Sequence, residues 1–368
     1  MRPNLLTRAI DRFAGRGSAA VTIPAMDGPL KPNARLEESR ALLAIDAPDN
    51  LVSEGGRVLF SSGAQLFTLD PTSGRSDPVR RFGSDITALA LAPDGTVAVG
   101  LDRGDVEFHG GPRRRETLNT VGGQPLCCPS ALAFLDAETL LLCQGSARFP
   151  ASQWQRSVMS NDVSGSVWTI DLSCGDTRCL GAPLAFPIGL LVPAGTETVV
   201  VSEAWRHRLV RLPITGSKGP EVVLDNLPGY PARQSAAKDG GSWLAVFAPR
   251  SQLIEFVLKE PAFAARMQRE IGDPNLWIGP SLSSGKTYLE PLQGGAVKQM
   301  GILKPWAPTR SYGLVIRLDQ EFLATDSLHS RADGRRHGIT SCVEAGATLL
   351  STSRGGGCIL ETLIEASS

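Results

Sequence analysis

The chain has 368 residues, and its 37 lysines and arginines balance 37 aspartates and glutamates, so no global field would concentrate a phosphate polymer and nucleic acid is not expected as a partner. The 42% apolar content, 39 glycines and 26 prolines describe a globular, turn-rich chain that leans towards β structure. No apolar run approaches the roughly 20 residues that span a bilayer, so no integral membrane segment is expected.

In chain order, Leu5, Leu6, Ile10 and Phe13 fall at helical spacing and predict a short amphipathic helix within an N-terminal extension over residues 1–40. That stretch lacks the continuous apolar core of a secretory signal. Cys127, Cys128, Cys143, Cys174, Cys179, Cys342 and Cys358 make an odd set without a regular framework, and no Asn-x-Ser/Thr acceptor occurs. A reducing compartment follows, and a cytoplasmic location is expected.

From residue 41 onwards one plan recurs: an apolar strand, a Gly-containing turn, a second apolar strand, another turn and a third strand. "NLVSEGGRVLFSSGAQLFTLDPTSGR" is the first copy, and "DITALALAPDGTVAVGLDRGDVEFHGG" repeats it around an Asp94-Gly95 hairpin signal. "SALAFLDAETLLLCQGS" with "GSVWTIDLSCGDTRCLG", then "LAFPIGLLVPAGTETVVVSEAWRHRLVRLPITG", continue the series. "ARQSAAKDGGSWLAVFAPRSQLIEFVL" and "HGITSCVEAGATLLSTSRGGGCILETLI" complete six. Such units bury their apolar faces only against each other, so residues 41–368 are expected to form one all-β, six-bladed β-propeller. Residues 259–308 interrupt the pattern, with a short helix predicted at "PAFAARMQREIG". They read as a loop and short-helix insertion before the last blade, covering one mouth of the channel.

The order Phe186-Pro187-Ile188-Gly189, Glu203 with Arg208 and Arg211, Leu227-Pro228-Gly229-Tyr230-Pro231 and Gly240-Gly241-Ser242-Trp243 resembles the strictosidine synthase-like proteins. These stand within the wider group of SMP-30/gluconolactonase-type and arylesterase-type propellers. The resemblance implies a site at one mouth of the channel, built in most relatives around a calcium-type ion held by Glu, Asn and Asp. A hard cation needs several oxygen donors at once, and this chain departs from the pattern at the matching positions. Asp49 stands for a longer acid, Pro129-Ser130 for Asn-Asp, Ile188 for Asn, and Ala232-Arg233 for Asp-Asn. The metal site is therefore expected to be absent, with no cofactor in its place. Strictosidine synthases themselves run a metal-free condensation with a glutamate, but Ile339 occupies that position here, and an alkyl group cannot carry a proton.

Arg233 reads in two ways, as a cation that binds a ligand's carboxylate or phosphate or as a structural partner of Asp49 across the channel. Asp49, Arg233 and His337 are the candidate catalytic residues. Asn50, Ser130, Ile188, Tyr230 and Trp306 are the candidate ligand contacts. Glu203 is expected in a blade salt bridge with Arg208 and Arg211, and His207 in a solvent-facing turn. Trp154 and Trp205 are expected in the blade core, whereas Trp277 in the insertion is a candidate to stack on a ligand. The expected function is action on, or binding of, a small organic molecule, by a metal-independent hydrolase or an enzyme that makes or breaks C–N bonds. The alternatives are a non-catalytic binding or scaffold propeller and a metal-dependent lactonase or arylesterase.

Overall fold

Six four-stranded antiparallel sheets are set in a ring, and the first strand of each packs beside the first strand of the next until the sixth returns to the first. The computed structural model describes residues 23–216, 219–291 and 310–364, with two short strands, Lys298–Gln299 and Ile302–Leu303. The helix expected around Leu5 to Phe13 lies outside the described residues. The six innermost strands are Pro48–Glu54, Ile86–Leu91, Pro129–Phe134, Pro187–Leu191, Gly229–Ala236 and Ile339–Ala345. Blade two shows why these sequences fold so. Ile86–Leu91 and Val97–Leu101 pair residue for residue from Ala88 to Leu91, and Gly95 turns between them at φ +84°, a conformation costly for residues with a Cβ.

The ring closes through the amino-terminal strand. Arg40–Ala44 pairs with Cys358–Leu363 and so becomes the outermost strand of blade six. Leu42 then packs into a cluster with Leu51, Phe60, Val343 and Ile359, which belong to blades one and six. One side chain thus joins the two ends of the propeller to each other.

Blade five departs from the expected outline. Its strands are Gly229–Ala236, Ser242–Pro249, Leu314–Leu318 and Ala324–His329, so the insertion starts at Arg250 and lies inside the blade, between its second and third strands. "SQLIEFVL", expected as the third strand, is instead the helix Gln252–Leu258. Ser251 caps it by accepting the Ile254 N–H, and Ile254 and Val257, three apart, are the residues it buries, the spacing of a helix rather than of a strand. Pro261–Glu270 is the predicted second helix, with proline in its first turn. The helix Gln252–Leu258 is tied to the propeller by Glu255. Its carboxylate meets Arg250 at 3.2 Å and His207 at 3.3 Å. Burial alone would raise its pKa, but hydrogen bonds from His207 and Arg250 outweigh that and bring it down to about 2.

Leu42→Ala should cost about 2–4 kcal/mol, the usual range for a buried Leu→Ala truncation. Arg40→Ala, which removes only an exposed bridge to Glu361, should cost under about 1 kcal/mol. Urea unfolding of both variants separates closure by packing from closure by charge, and equal costs would contradict this account.

Candidate functional site

Each innermost strand slips register against its second strand near its start: between Asp49 and Val52, Ile86 and Ala88, Pro129 and Ala131, Pro187 and Gly189, Pro231 and Gln234, and Ile339 and Cys342. A bulge leaves one residue unpaired and re-aims its side chain. Here the slips free Asn50, Thr87, Ser130, Ile188, Arg233 and Thr340 from the regular alternation, all at one end of the channel. Three of them reach the next blade. Asn50 Nδ2 donates to the Ile86 carbonyl at 3.3 Å, Thr87 Oγ1 to Pro129 at 2.6 Å and Ser130 Oγ to Pro187 at 2.5 Å. The series stops at Ile188, which has nothing to donate.

Arg233 crosses the channel from blade five. Its Nη1 donates to Asp49 Oδ1 at 2.8 Å and its Nη2 to the Thr87 carbonyl at 2.7 Å, with the Ser130 carbonyl at 3.5 Å. One guanidinium is thus held by oxygens of blades one, two and three. Asp49 is enclosed in turn: Arg354 Nη1 meets Oδ2 at 2.8 Å, and the Asn50 N–H donates to Oδ1 at 2.7 Å. Burial would raise the pKa of Asp49, yet Arg233 and Arg354, the Thr340 hydroxyl and the Asn50 amide together hold it below the usual carboxylate range. The geometry places Arg233 in a pair with Asp49.

Above this cluster opens a cavity of ≈ 130 Å³. Asp49, Thr87, Ser130, Arg233, Thr340 and Arg354 line its polar side, and Trp154, Phe186, Ile188, Trp205, Phe247 and Leu282 its apolar side. Phe186 stacks on Trp205 with centroids 4.4 Å apart, and Phe247 meets Trp154 edge-on at 5.4 Å. Leu282 brings the insertion to the mouth.

Of the expected catalytic residues, Asp49 and Arg233 share this cavity and His337 does not. His337 is buried in the loop before blade six, and its Nε2 lies 2.8 Å from the Arg331 carbonyl. A carbonyl only accepts, so Nε2 carries the proton and Nδ1 accepts from Ser311 Oγ at 2.7 Å. Burial pulls its pKa down, and the imidazole is a neutral structural group. Ser130 and Ile188 face the cavity as expected. Asn50 lies beneath Asp49 and does not line the cavity, bound to Ser61 Oγ at 2.8 Å with its own Oδ1 unpartnered. Tyr230 is also displaced from the expected contact: it is fully buried behind the aromatic wall, 5.6 Å from Phe247. Trp306 lies outside the described residues.

Other expectations change for the same reason, that packing between blades is invisible along the chain. Trp277 does not face a ligand but is 1% exposed in the core, donating to the Ile271 carbonyl. Trp154 and Trp205, expected in the blade core, form the cavity wall. His207 is buried rather than solvent-facing, at a left-handed φ of +51° against Tyr230. Glu203 binds Arg208 at 2.5 Å and Arg206 at 2.8 Å, while Arg211 turns to Glu221 at 3.0 Å, opposite it in the ladder. All seven cysteines are free thiols. Arg354, which sequence reasoning passed over as part of a glycine-rich turn, completes the Asp49 cluster.

A hard divalent ion does not fit these residues. It needs six or more oxygen donors, whereas Asp49, the carboxylate beside the inner-strand carbonyls, is engaged on both oxygens and a guanidinium lies among those carbonyls. Among the described residues no group of three or more His, Cys, Asp or Glu is placed to hold a metal.

No protein-family model matches the chain. It is 24% identical over 272 residues, 66% of its own length, to the Adipocyte plasma membrane-associated protein of Rattus norvegicus, and it spans 72% of that protein and 65% of the Mus musculus counterpart. Protein STRICTOSIDINE SYNTHASE-LIKE 6 of Arabidopsis thaliana matches at 24% over 160 residues, 43% of each chain. A gluconolactonase from Xanthomonas campestris superposes with a TM-score of 0.56 at 13% identity, over 90% of this chain and 91% of that one. The chain is a six-bladed β-propeller, similar in sequence to strictosidine synthase-like proteins. The solved neighbour shares the fold, and its name carries no chemistry to this chain. No described helix is long and apolar enough to cross a membrane.

Asp49→Asn should cost roughly 3–5 kcal/mol at neutral pH, because two guanidinium groups lose their shared buried counter-charge. The folded pKa of Asp49 lies below its unfolded value, so its contribution is complete above about pH 4 and fades as pH falls through the folded value. The stability gap between wild type and Asp49→Asn should therefore narrow below about pH 4, and a gap constant down to pH 2 would contradict the ion-pair assignment.

Proposed function

We propose that this propeller binds a small organic molecule with a flat apolar body at the channel mouth, without a divalent metal. The observation that carries the reading is the two-sided cavity, with an aromatic wall on blades three to five facing the Asp49, Arg233 and Arg354 cluster. Sites that take small molecules are concave and mostly apolar, with a few polar groups that fix orientation. Aromatic side chains supply large contact area at low entropic cost.

A hydrolytic or C–N bond-forming version keeps the same cavity and needs a base free to accept a proton. Asp49 is not free, and Asp85 and Asp102 are the other carboxylates on the wall. This second reading is supported by gluconolactonase and a luciferin-regenerating enzyme among proteins of this fold. Acid release from γ-lactones or phenyl acetate in a pH-stat would establish it.

Titration with 3-phenylpropan-1-ol, followed by the fluorescence of Trp154 and Trp205, tests the binding reading. Saturable quenching is expected, unchanged by EDTA, and Ile188→Lys should abolish it by placing a cation in the apolar wall. A rise in melting temperature with Ca²⁺ that EDTA reverses, or no quenching at millimolar probe, would overturn the reading.

A further inference from the structure

The charges around the mouth are sorted by blade. Arg354 stands on blade six, in the turn after Thr348–Ser353. Asp85 and Asp102 stand on blade two, just before Ile86–Leu91 and just after Val97–Leu101. Asp49 of blade one lies between these flanks. Among the described residues, blades three to five add no ionisable side chain to the wall except Arg233, which is engaged with Asp49.

These groups differ in how much bonding capacity they retain. Both oxygens of Asp49 are engaged, and Arg233 is held by three carboxylate or carbonyl oxygens. Arg354 is exposed, lines the cavity and commits Nη1 to Asp49, so the other donors of its fork remain for a ligand. Asp102 accepts the Ser152 N–H at 2.7 Å on Oδ1, and its other oxygen has no partner among the described residues. Asp85 is exposed at the rim. Counted formally, Asp49 with its two arginines leaves an excess positive charge on the blade-six side. The two blade-two carboxylates leave an excess negative charge on the other.

Building on the small-molecule reading above, we propose that the ligand is a zwitterion of the amino-acid or short-peptide class. Its carboxylate pairs with Arg354, its ammonium group with Asp102 and Asp85, and its apolar side chain lies on the wall of Trp154, Trp205 and Phe247. A carboxylate matches the planar fork of a guanidinium, and an ammonium group offers three donors and no acceptor, which suits a pair of carboxylates. A ligand with one charge leaves one flank unmatched, and a neutral ligand leaves both. The bipolar rim therefore sets orientation as well as class, because reversing the molecule puts like charges together.

The test is a fluorescence titration of the full chain with five probes that share a phenyl group: L-phenylalanine, glycyl-L-phenylalanine, phenethylamine, 3-phenylpropanoate and 3-phenylpropan-1-ol. At least one zwitterion should bind roughly tenfold more tightly than either singly charged probe, the effect of about one hydrogen bond to a charged group. The preference should weaken with added salt. Arg354→Gln should reduce that zwitterion to the affinity of phenethylamine, and Asp102→Asn to that of 3-phenylpropanoate. Both variants should keep the wild-type cooperative urea transition, which shows that the fold is intact, and Arg354→Lys should restore part of the preference. If the alcohol binds and neither zwitterion exceeds it, or if one singly charged probe matches both zwitterions, this inference fails and the small-molecule reading stands. If none of the five binds, both fail.

Discussion

A guanidinium fixed on the propeller axis by oxygens of three blades is the interaction on which the mouth of this molecule depends. In any propeller the innermost strands are sheet edges, so their carbonyls have no partner in the next strand and face the channel. One buried carboxylate added to that ring makes a cradle that requires a positive charge. Arg233 supplies it from within the chain. A side chain cannot dissociate or be chelated, so the cradle is filled whenever the protein is folded.

The same choice shapes what remains open. A bound ion would present free coordination positions to a ligand, but Arg233 is occupied by Asp49 and the Thr87 and Ser130 carbonyls and presents little. The chemistry of the mouth passes to its rim, to Arg354 and the blade-two carboxylates, and to the apolar arc that begins at Ile188. Ile188 ends the series of side-chain bonds by which Asn50, Thr87 and Ser130 hold neighbouring blades together. Having no polar group, Ile188 packs on the cluster of Phe186 and Phe247 and lines the cavity beside Trp205. On the binding reading proposed above, a bipolar rim over an apolar wall suits recognition, and Asp49, the deeply buried carboxylate of the site, has both oxygens engaged.

The insertion in blade five contributes at both ends of this arrangement. Glu255 ties its first helix to His207 and Arg250 below, and Leu282 reaches the cavity above. Gly338 and Gly355 allow this approach, since a Cβ on either would lie within 3 Å of the Leu282 carbonyl oxygen. The glycine-rich turn that carries Arg354 is therefore shaped by contact with the insertion.

The six-fold recurrence of strand, turn and strand was legible in the chain because alternation and Gly-marked turns are local properties, and so was the helix at Pro261–Glu270. That Ile188 and Arg233 bring no oxygen donor to the axis was legible as well, since it needs only residue identity. The misreadings share one cause. "SQLIEFVL" carries both strand-like composition and helical spacing, and the Ser251 cap and the burial of Ile254 and Val257 against other parts of the fold decided for helix. His337, Tyr230 and Trp277 look chemically apt in sequence, yet each is enclosed by contacts from distant segments. What the amino-acid order determined by itself was the repeating sheet and the identity of the groups near the axis. Only the tertiary structure decided which of them meet, because a single-residue bulge at the head of each inner strand sets where a side chain points, and bulges leave no pattern in an unfolded chain.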